Sequence, residues 1–343
     1  MAQQITFKPK QVTKKILSGL QQRAYDVVFH RFGLGDDATP KTLESIGQNY
    51  GITRERVRQI ENAALNTIRK SDLFKNEQKT FDELKDILSD YGMLVSEKDF
   101  LNHISKDKNT QNHIHFYLVL SDFFTKHKED EDFHSRWTID AGLSEKVHTS
   151  LKSLYASLSD TELLSEAEIV ERFLKVMREM SEDYRNEEIA KRWLGLSKKI
   201  DKNPLGEWGK ADSSNVKTRG IRDYAYLVMR KHGSPLHFRE VAKKIQDTFG
   251  KKTHVATCHN ELIKDKRFVL VGRGFYALAE WGYKPGIVRE VIRDIIKKHG
   301  PISKDDVIEH VMKERYLKKN TIIVNLQNPK YFKKNKQDLY TNV

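Results

Sequence analysis

Several residue types are scarce in this chain of 343 residues, and each scarcity excludes a class of protein. A single cysteine excludes a disulfide scaffold, and it excludes a zinc or iron–sulfur site built from several thiolates of this chain. With 7 prolines and 18 glycines, the composition is neither collagen-like nor that of a linker. No apolar run reaches the ~18 residues that a membrane span needs, and the N-terminal segment MAQQITFKPK lacks an apolar signal core. We therefore expect a soluble, cytoplasmic protein without a membrane partner.

The charge is plentiful and unevenly distributed. The 61 Lys and Arg residues outnumber the 48 Asp and Glu residues, which gives a net charge of +13. Residues 1–70 carry +6, residues 71–212 carry −8, residues 213–283 carry +8 and residues 284–343 carry +7. Basic segments attract phosphate backbones, whereas the acidic middle is better suited to a protein surface. Solvation alone would also account for surface charge.

One local pattern recurs after residue 80. An apolar residue precedes a capping residue, and an acid and another apolar residue follow the cap three and four positions later; the four capping positions are Ser96, Ser165, His237 and Ser303. The cap and the acid are typical of a helix start, although His237 is a weaker cap than serine. Each copy then runs toward a β-rich end that contains an aromatic residue. Helix, turn, helix and hairpin in this order predict a winged helix.

The third copy has the clearest hairpin. Its strands 268–271 and 275–278 flank the turn Gly272-Arg273-Gly274. We therefore predict a mainly α, multidomain chain of helix-turn-helix and winged-helix modules with short β-hairpin wings. The predicted modules cover residues 1–75, 82–142, 146–212, 213–283 and 284–343.

Residues 39–70 have the pattern of a helix-turn-helix. A short helix begins near Thr42, Gly47 allows close helix packing, and Gly51 ends the helix in a turn. Thr53 caps a second helix that runs from Arg54 to about residue 70. On a helical wheel, one apolar stripe comprises Val57, Ile60, Ala64 and Ile68, and Leu65 falls off this stripe.

The opposite face of the second helix is polar. Its candidate DNA-binding residues, together with the cap, are Thr53, Arg54, Glu55, Arg56, Arg58, Gln59 and Asn62. Arg can bind guanine through two hydrogen bonds, Gln can bind adenine, and Glu can accept from cytosine N4. A solvated face built from charge pairs would have the same periodicity, so the periodicity alone does not decide.

Three segments, RFGL at 31–34, TLESIG at 42–47 and GITRERVRQIE at 51–61, resemble region 4 of the sigma-70 family of bacterial sigma factors. The resemblance covers roughly residues 15–70, with Ser45 and Tyr50 in place of the usual Glu and Phe. It implies a domain that reads the promoter −35 element and contacts the flap of the RNA polymerase β subunit.

By this resemblance, base contacts fall to Arg54, Glu55 and Gln59, whereas Arg56 and Arg58 contact phosphate or base. Arg31, Phe32 and Leu34 belong to the polymerase-facing and core part of the motif. About 15 residues precede the domain, so we expect no promoter-melting region and no promoter opening by this chain alone.

The segments PLHFREVA and GFYALAEW, within residues 218–283, resemble the HARE-type helix-turn-helix, a winged helix that also occurs in the δ subunit of Gram-positive RNA polymerase. The resemblance implies a nucleic-acid or polymerase-associated role. The candidate phosphate contacts are Lys264, Lys266, Arg267 and Arg273, beside His259 and Asn260. In the last module they are Lys333, Lys334 and Lys336. A solvated wing is the alternative.

No catalytic motif is present. The sequence lacks a Walker lysine motif, and Cys258-His259 lacks a paired ligand motif. His113 and His115 would share one face of a strand, but no third ligand lies nearby in the sequence. We expect no enzyme, no cofactor and no metal site.

The main hypothesis is a sequence-specific transcription factor of the bacterial nucleoid that binds duplex DNA at a −35-like element and acts with RNA polymerase in initiation or its regulation. The alternatives are a δ-like polymerase accessory subunit that makes only protein contacts and, third, a DNA-modification or repair component. The oligomeric state is left open.

Overall fold

The computed structural model describes residues 5–177, 186–283, 287–315 and 317–343. The chain forms two compact units, Met1–Asp201 with Trp208–Ala211 and Lys202–Glu207 with Asp212–Val343. It is mainly α-helical with short antiparallel strand pairs, which confirms the predicted fold class. Within the described ranges, no helix is both long and apolar enough to cross a membrane.

The first stretch of the chain alternates helices with very short strands. Its elements are α1 (Pro9–Leu17), α2 (Gln22–Phe32), α3 (Leu43–Tyr50), α4 (Arg54–Lys70), α5 (Asp72–Asn76), α6 (Gln78–Tyr91), β1 (Leu94–Ser96), α7 (Glu97–Ile104), α8 (Lys108–Leu120), β2 (Thr125–His127), β3 (Arg136–Thr138), α9 (Ala141–Ser157), α10 (Glu166–Met177), α11 (Glu187–Leu194), β4 (Ile200–Lys202) and β5 (Trp208–Lys210). Strand β3 lies between β1 and β2 in an antiparallel sheet.

Helix α8 is central to the first unit. From Gln111 to Leu120 nearly every side chain is buried, so the helix is surrounded by protein. One hydrophobic core runs from Val12 to Trp137 and includes α8. The packing therefore continues across residue 75, and the predicted module limits stay a prediction. The stretch with His113 and His115 is helical, so the strand-like reading of these two residues is wrong.

The second unit contains two successive helical groups, each closed by a hairpin. Its elements are α12 (Ile221–His232), β6 (Leu236–His237), α13 (Phe238–Phe249), α14 (Val255–Lys264), β7 (Phe268–Gly272), β8 (Phe275–Leu278), α15 (Val288–His299), α16 (Lys304–Glu314), α17 (Lys319–Leu326), β9 (Phe332–Lys334) and β10 (Tyr340–Asn342). Strand β8 pairs with β6 and β7, and β9 pairs with β10. The hairpin predicted around residues 272–274 is confirmed.

The recurring pattern has a common geometry in all four copies. Each predicted cap accepts a backbone N–H of the helix that follows it; these caps are Ser96, Ser165, His237 and Ser303. The apolar residue before each cap also pairs with an aromatic residue of the closing strand; the pairs are Val95–Trp137, Leu164–Trp208, Leu236–Tyr276 and Ile302–Tyr340. The predicted helix starts are confirmed, and each helix start is tied to the β-rich end of its copy.

Candidate nucleic-acid interface

The helix-turn-helix of residues 42–70 is built by local capping. The N–H of Ser45 donates to Thr42 Oγ1 at 3.1 Å at the start of α3. Gly51 ends α3 with φ +64°, a conformation that glycine adopts without strain. The N–H of Arg56 then donates to Thr53 Oγ1 at 3.2 Å, which starts α4 at the predicted residue.

The close approach of α3 to α4 depends on Gly47. The Ile52 N–H donates to the Gly47 carbonyl at 2.9 Å, and a Cβ atom on Gly47 would lie 2.6 Å from the Ile52 carbonyl oxygen. Any side chain at this position would push the turn away from α3.

We expect Gly47→Ala to lower the free energy of unfolding of the full chain by about 2 kcal/mol, because the added methyl group overpacks the turn. Gly142→Ala in α9 is the matched control, since its Cβ would meet only Asp140 Oδ1 at 3.4 Å. Urea denaturation measures both variants. An equal effect of the two substitutions would contradict the close packing at Gly47.

The apolar side of α4 faces the protein interior. Val57, Ala64 and Ile68 are buried and Ile60 is half-buried, as the wheel predicts. Leu65, which falls off that stripe, is buried as well, because it packs in the core shared with residues 81–137. Two adjoining apolar clusters thus hold α4 along its length.

The polar side of α4 is open. All seven predicted residues are exposed, namely Thr53, Arg54, Glu55, Arg56, Arg58, Gln59 and Asn62. They occupy the cap and the first turns of the helix, which is the part of a recognition helix that contacts bases in the major groove. No described part of the chain covers them.

Four of these side chains pair with each other along the helix. Arg58 donates to both carboxylate oxygens of Glu55, at 2.9 and 2.7 Å, and Arg56 donates to Gln59 Oε1 at 3.1 Å. The hydrogen bonds from Arg58 lower the pKa of Glu55, which keeps it ionised. Exposed pairs of this kind contribute little to stability, so they can exchange for contacts with a ligand. Arg54 and Asn62 make no side-chain hydrogen bond within the described residues.

The segment before α3 lies under α8. Phe32 packs edge-on against Phe116, with ring centroids 5.0 Å apart. The Asn112 amide donates to the carbonyls of Gly33 and Ala38, both at 2.9 Å. Phe32 and Leu34 are therefore core residues, and a polymerase-facing role for these two side chains does not fit the structure.

Arg31 is also tied to its own chain. Its guanidinium donates to the Lys41 carbonyl at 3.2 Å and lies 3.7 Å from the Glu61 carboxylate.

In the second unit, the tip of the β7–β8 hairpin presents Arg273. Arg273 and Lys266 are exposed, as are Lys264 and Asn260, whereas His259 is half-buried. His259 stacks on Phe238, with ring centroids 4.3 Å apart. The lysines and Arg273 are positioned to contact phosphates without reading bases.

Arg267 differs from its neighbours. Its guanidinium donates to Asp223 at 2.8 Å and to Asp265 at 2.7 Å. Burial opposes ionisation of Asp265, but the hydrogen bonds from Arg267 outweigh it and lower the pKa of that carboxyl group. Because two carboxylates neutralise its charge, Arg267 stabilises the fold, and we leave it out of the interface.

We expect Arg267→Ala to lower the free energy of unfolding by about 2 kcal/mol, since Asp223 and Asp265 lose their cationic partner while mostly buried. Lys266→Ala should change stability by less than about 0.5 kcal/mol but reduce the salt slope of DNA binding by about one. Thermal denaturation and salt titrations measure the two effects. The reverse order would restore Arg267 to the interface.

The last module offers further lysines. Lys333 and Lys336 are exposed, whereas Lys334 forms an ion pair with Asp338. Cys258 is buried, and burial raises the pKa of its thiol to about 11. Among the described residues, no group of three His, Cys, Asp or Glu side chains could hold a metal ion.

The geometry defines a helix-turn-helix with an exposed polar recognition helix, and comparison with known proteins agrees. The family described as Sigma-70, region 4 matches residues 16–70. The HARE-HTH family, described as an HTH domain of ASXL and restriction endonuclease proteins, matches residues 221–281. Both predicted resemblances are confirmed, and both families are helix-turn-helix domains rather than enzymes.

Two sigma factors are similar to the head of this chain. RNA polymerase sigma factor SigA of Nostoc sp. is 52% identical over 56 residues, which cover 16% of this chain and 14% of the relative. RNA polymerase sigma factor RpoD of Helicobacter pylori is 46% identical over 56 residues, which cover 16% of this chain and 8% of the relative. The chain thus spans a small part of either relative. These matches support a sigma-factor-like role in transcription, either DNA-binding or associated with RNA polymerase.

Proposed function

We propose that the chain is a DNA-binding transcription factor of the bacterial cytoplasm whose α4 reads a −35-like element in duplex DNA and which acts with RNA polymerase. The observation that carries the proposal is the exposure of all seven polar residues of α4 while its aliphatic side is buried.

In this proposal, the N-terminal turns of α4 enter the major groove. Arg54 binds guanine O6 and N7, Gln59 binds adenine, and Glu55 accepts from cytosine N4. The pairs of Glu55 with Arg58 and of Arg56 with Gln59 open as their members exchange partners, which leaves Arg56 and Arg58 for phosphate or base.

The basic wings act on the phosphate backbone. Lys266 and Arg273, together with Lys333 and Lys336 in the last module, neutralise phosphates and release counterions. Modules linked in one chain bind more tightly than any of them alone, because each raises the effective concentration of the next.

The polymerase contact, including one with the β flap, uses a surface other than Phe32 and Leu34, since α8 covers them. The net negative charge of residues 71–212 makes that region the candidate for a protein partner.

A second candidate is a polymerase accessory subunit that reads no bases. The internal pairing on α4 favours it, because Glu55 with Arg58 and Arg56 with Gln59 already satisfy each other as on a solvated face.

The experiment that separates the two measures binding of the full chain to duplexes with and without a −35 hexamer at one salt concentration. Base reading predicts at least about tenfold tighter binding to the hexamer duplex. Equal affinities would reject base reading and leave the accessory role.

A further inference from the structure

A cavity of about 340 Å³ lies in the first unit, between α1, α2, α8 and the loop at Gly35 and Asp36. Its volume is within the range of small-molecule sites, which are mostly apolar with a few polar groups that fix the ligand. The exposed face of α4 contributes no residue to its lining.

The cavity has a flat apolar wall. The rings of Tyr25 and Phe29 stack with centroids 5.5 Å apart and an interplanar angle of 16°, and Leu17 and Leu34 complete the apolar lining. Such a wall suits a planar aromatic ligand.

The polar group of the lining is His113, which is 2% exposed. Its Nδ1 lies 2.8 Å from Thr13 Oγ1, and that oxygen lies 2.8 Å from Tyr117 Oη. The Tyr117 hydroxyl donates to the Pro9 carbonyl at 2.5 Å. Burial, aided by Lys10, lowers the pKa of His113 to about 4, so the ring is neutral.

This chain of contacts fixes the protons. Tyr117 uses its proton on Pro9, so Thr13 must donate to Tyr117 for that short contact to be a hydrogen bond. Thr13 then has no proton left for His113, so His113 Nδ1 carries the proton and donates to Thr13. The other ring nitrogen, Nε2, is left as a bare acceptor. It is buried and has no hydrogen-bond partner within the described residues.

Charge is present at the lining as well. Lys10 forms an ion pair with Asp36 at 2.6 Å. Lys14 is exposed and has no ion-pair partner in the described part of the chain. The lining therefore keeps one uncompensated positive charge.

We propose that this cavity binds a small aromatic anion whose ring N–H donates to His113 Nε2, whose plane packs on Tyr25 and Phe29, and whose acidic group lies beside Lys14. The chemical class is that of an indole carboxylate. Such a ligand would contact α1, α2 and α8 together and stabilise the first unit when bound.

The test is calorimetric titration of the full chain with indole-3-carboxylate and, separately, with 1-methylindole-3-carboxylate, which lacks the N–H donor. We expect saturable binding of the first probe and at least about tenfold weaker binding of the second, because the methyl group leaves Nε2 unpaired. No saturation by indole-3-carboxylate, or equal affinity for the two probes, would overturn the proposal.

Two variants locate the site. His113→Phe should abolish the discrimination between the two probes, and Lys14→Gln should weaken both of them about threefold to tenfold. Lys8→Gln, at the start of the same helix and outside the lining, is the control and should change neither affinity. Unaltered binding by the Lys14 variant would overturn the site. The comparison of probes on the wild-type chain stands even if His113→Phe fails to fold, and no step involves DNA, so the outcome is separate from the proposed function.

Discussion

The double substitution Arg54→Ala with Gln59→Ala should erase the preference of the full chain for a −35 hexamer duplex over a scrambled one. Both side chains are exposed at the start of α4, and each bidentate base contact contributes about 1–3 kcal/mol of discrimination. We expect each single variant to lose about fivefold to a hundredfold in the ratio of the two affinities. Competition titrations at one salt concentration measure that ratio.

The salt slope distinguishes this loss from a general loss of binding. The slope follows the number of phosphates neutralised, so it should stay nearly constant when base contacts are removed. Lys70→Ala, which changes an exposed cation at the opposite end of α4, is the matched control and should keep the preference. A double variant that still prefers the hexamer would show that other residues read the sequence.

Phe32→Ala should lower the free energy of unfolding by about 3–5 kcal/mol, the usual loss for a buried phenylalanine. Phe32 is 6% exposed, and its ring lies against Phe116 of α8. Because one core joins the head to α8, the amides of α8 should also lose hydrogen-exchange protection. Urea denaturation and hydrogen exchange of the full chain measure the two effects.

Tyr50→Ala is the control for the loss of an aromatic ring, since Tyr50 is exposed and should cost less than about 1 kcal/mol. Unchanged exchange in α8 beside a destabilised α4 would mean that the head and residues 81–137 unfold separately, contrary to the shared core.

The helix-turn-helix could be predicted because its determinants are local. Thr42, Gly51 and Thr53 act on backbone groups within a few residues, so their effect is readable from spacing. The caps of the later copies are local in the same way. The outward face of α4 follows from helical periodicity alone once the helix is placed.

Helix α8 could not be predicted, because long-range contacts determine its environment. Its polar residues look out of place in an apolar run until Asn112 meets carbonyls some 74 and 79 residues earlier in the chain. His113 meets Thr13 across 100 residues. Arg267 was misread for the same reason, since Asp223 lies 44 residues away. Composition shows the charge of such residues but not their partners.

Methylation protection at guanine N7 tests most directly whether the polar side of α4 lies in a duplex groove. Binding of arginine to O6 and N7 shields N7 from dimethyl sulfate in the major groove. The account predicts that the full chain protects guanine N7 within the hexamer and that Arg54→Ala loses this protection at saturating protein. Full occupancy by the wild-type chain with every guanine N7 still reactive would contradict it.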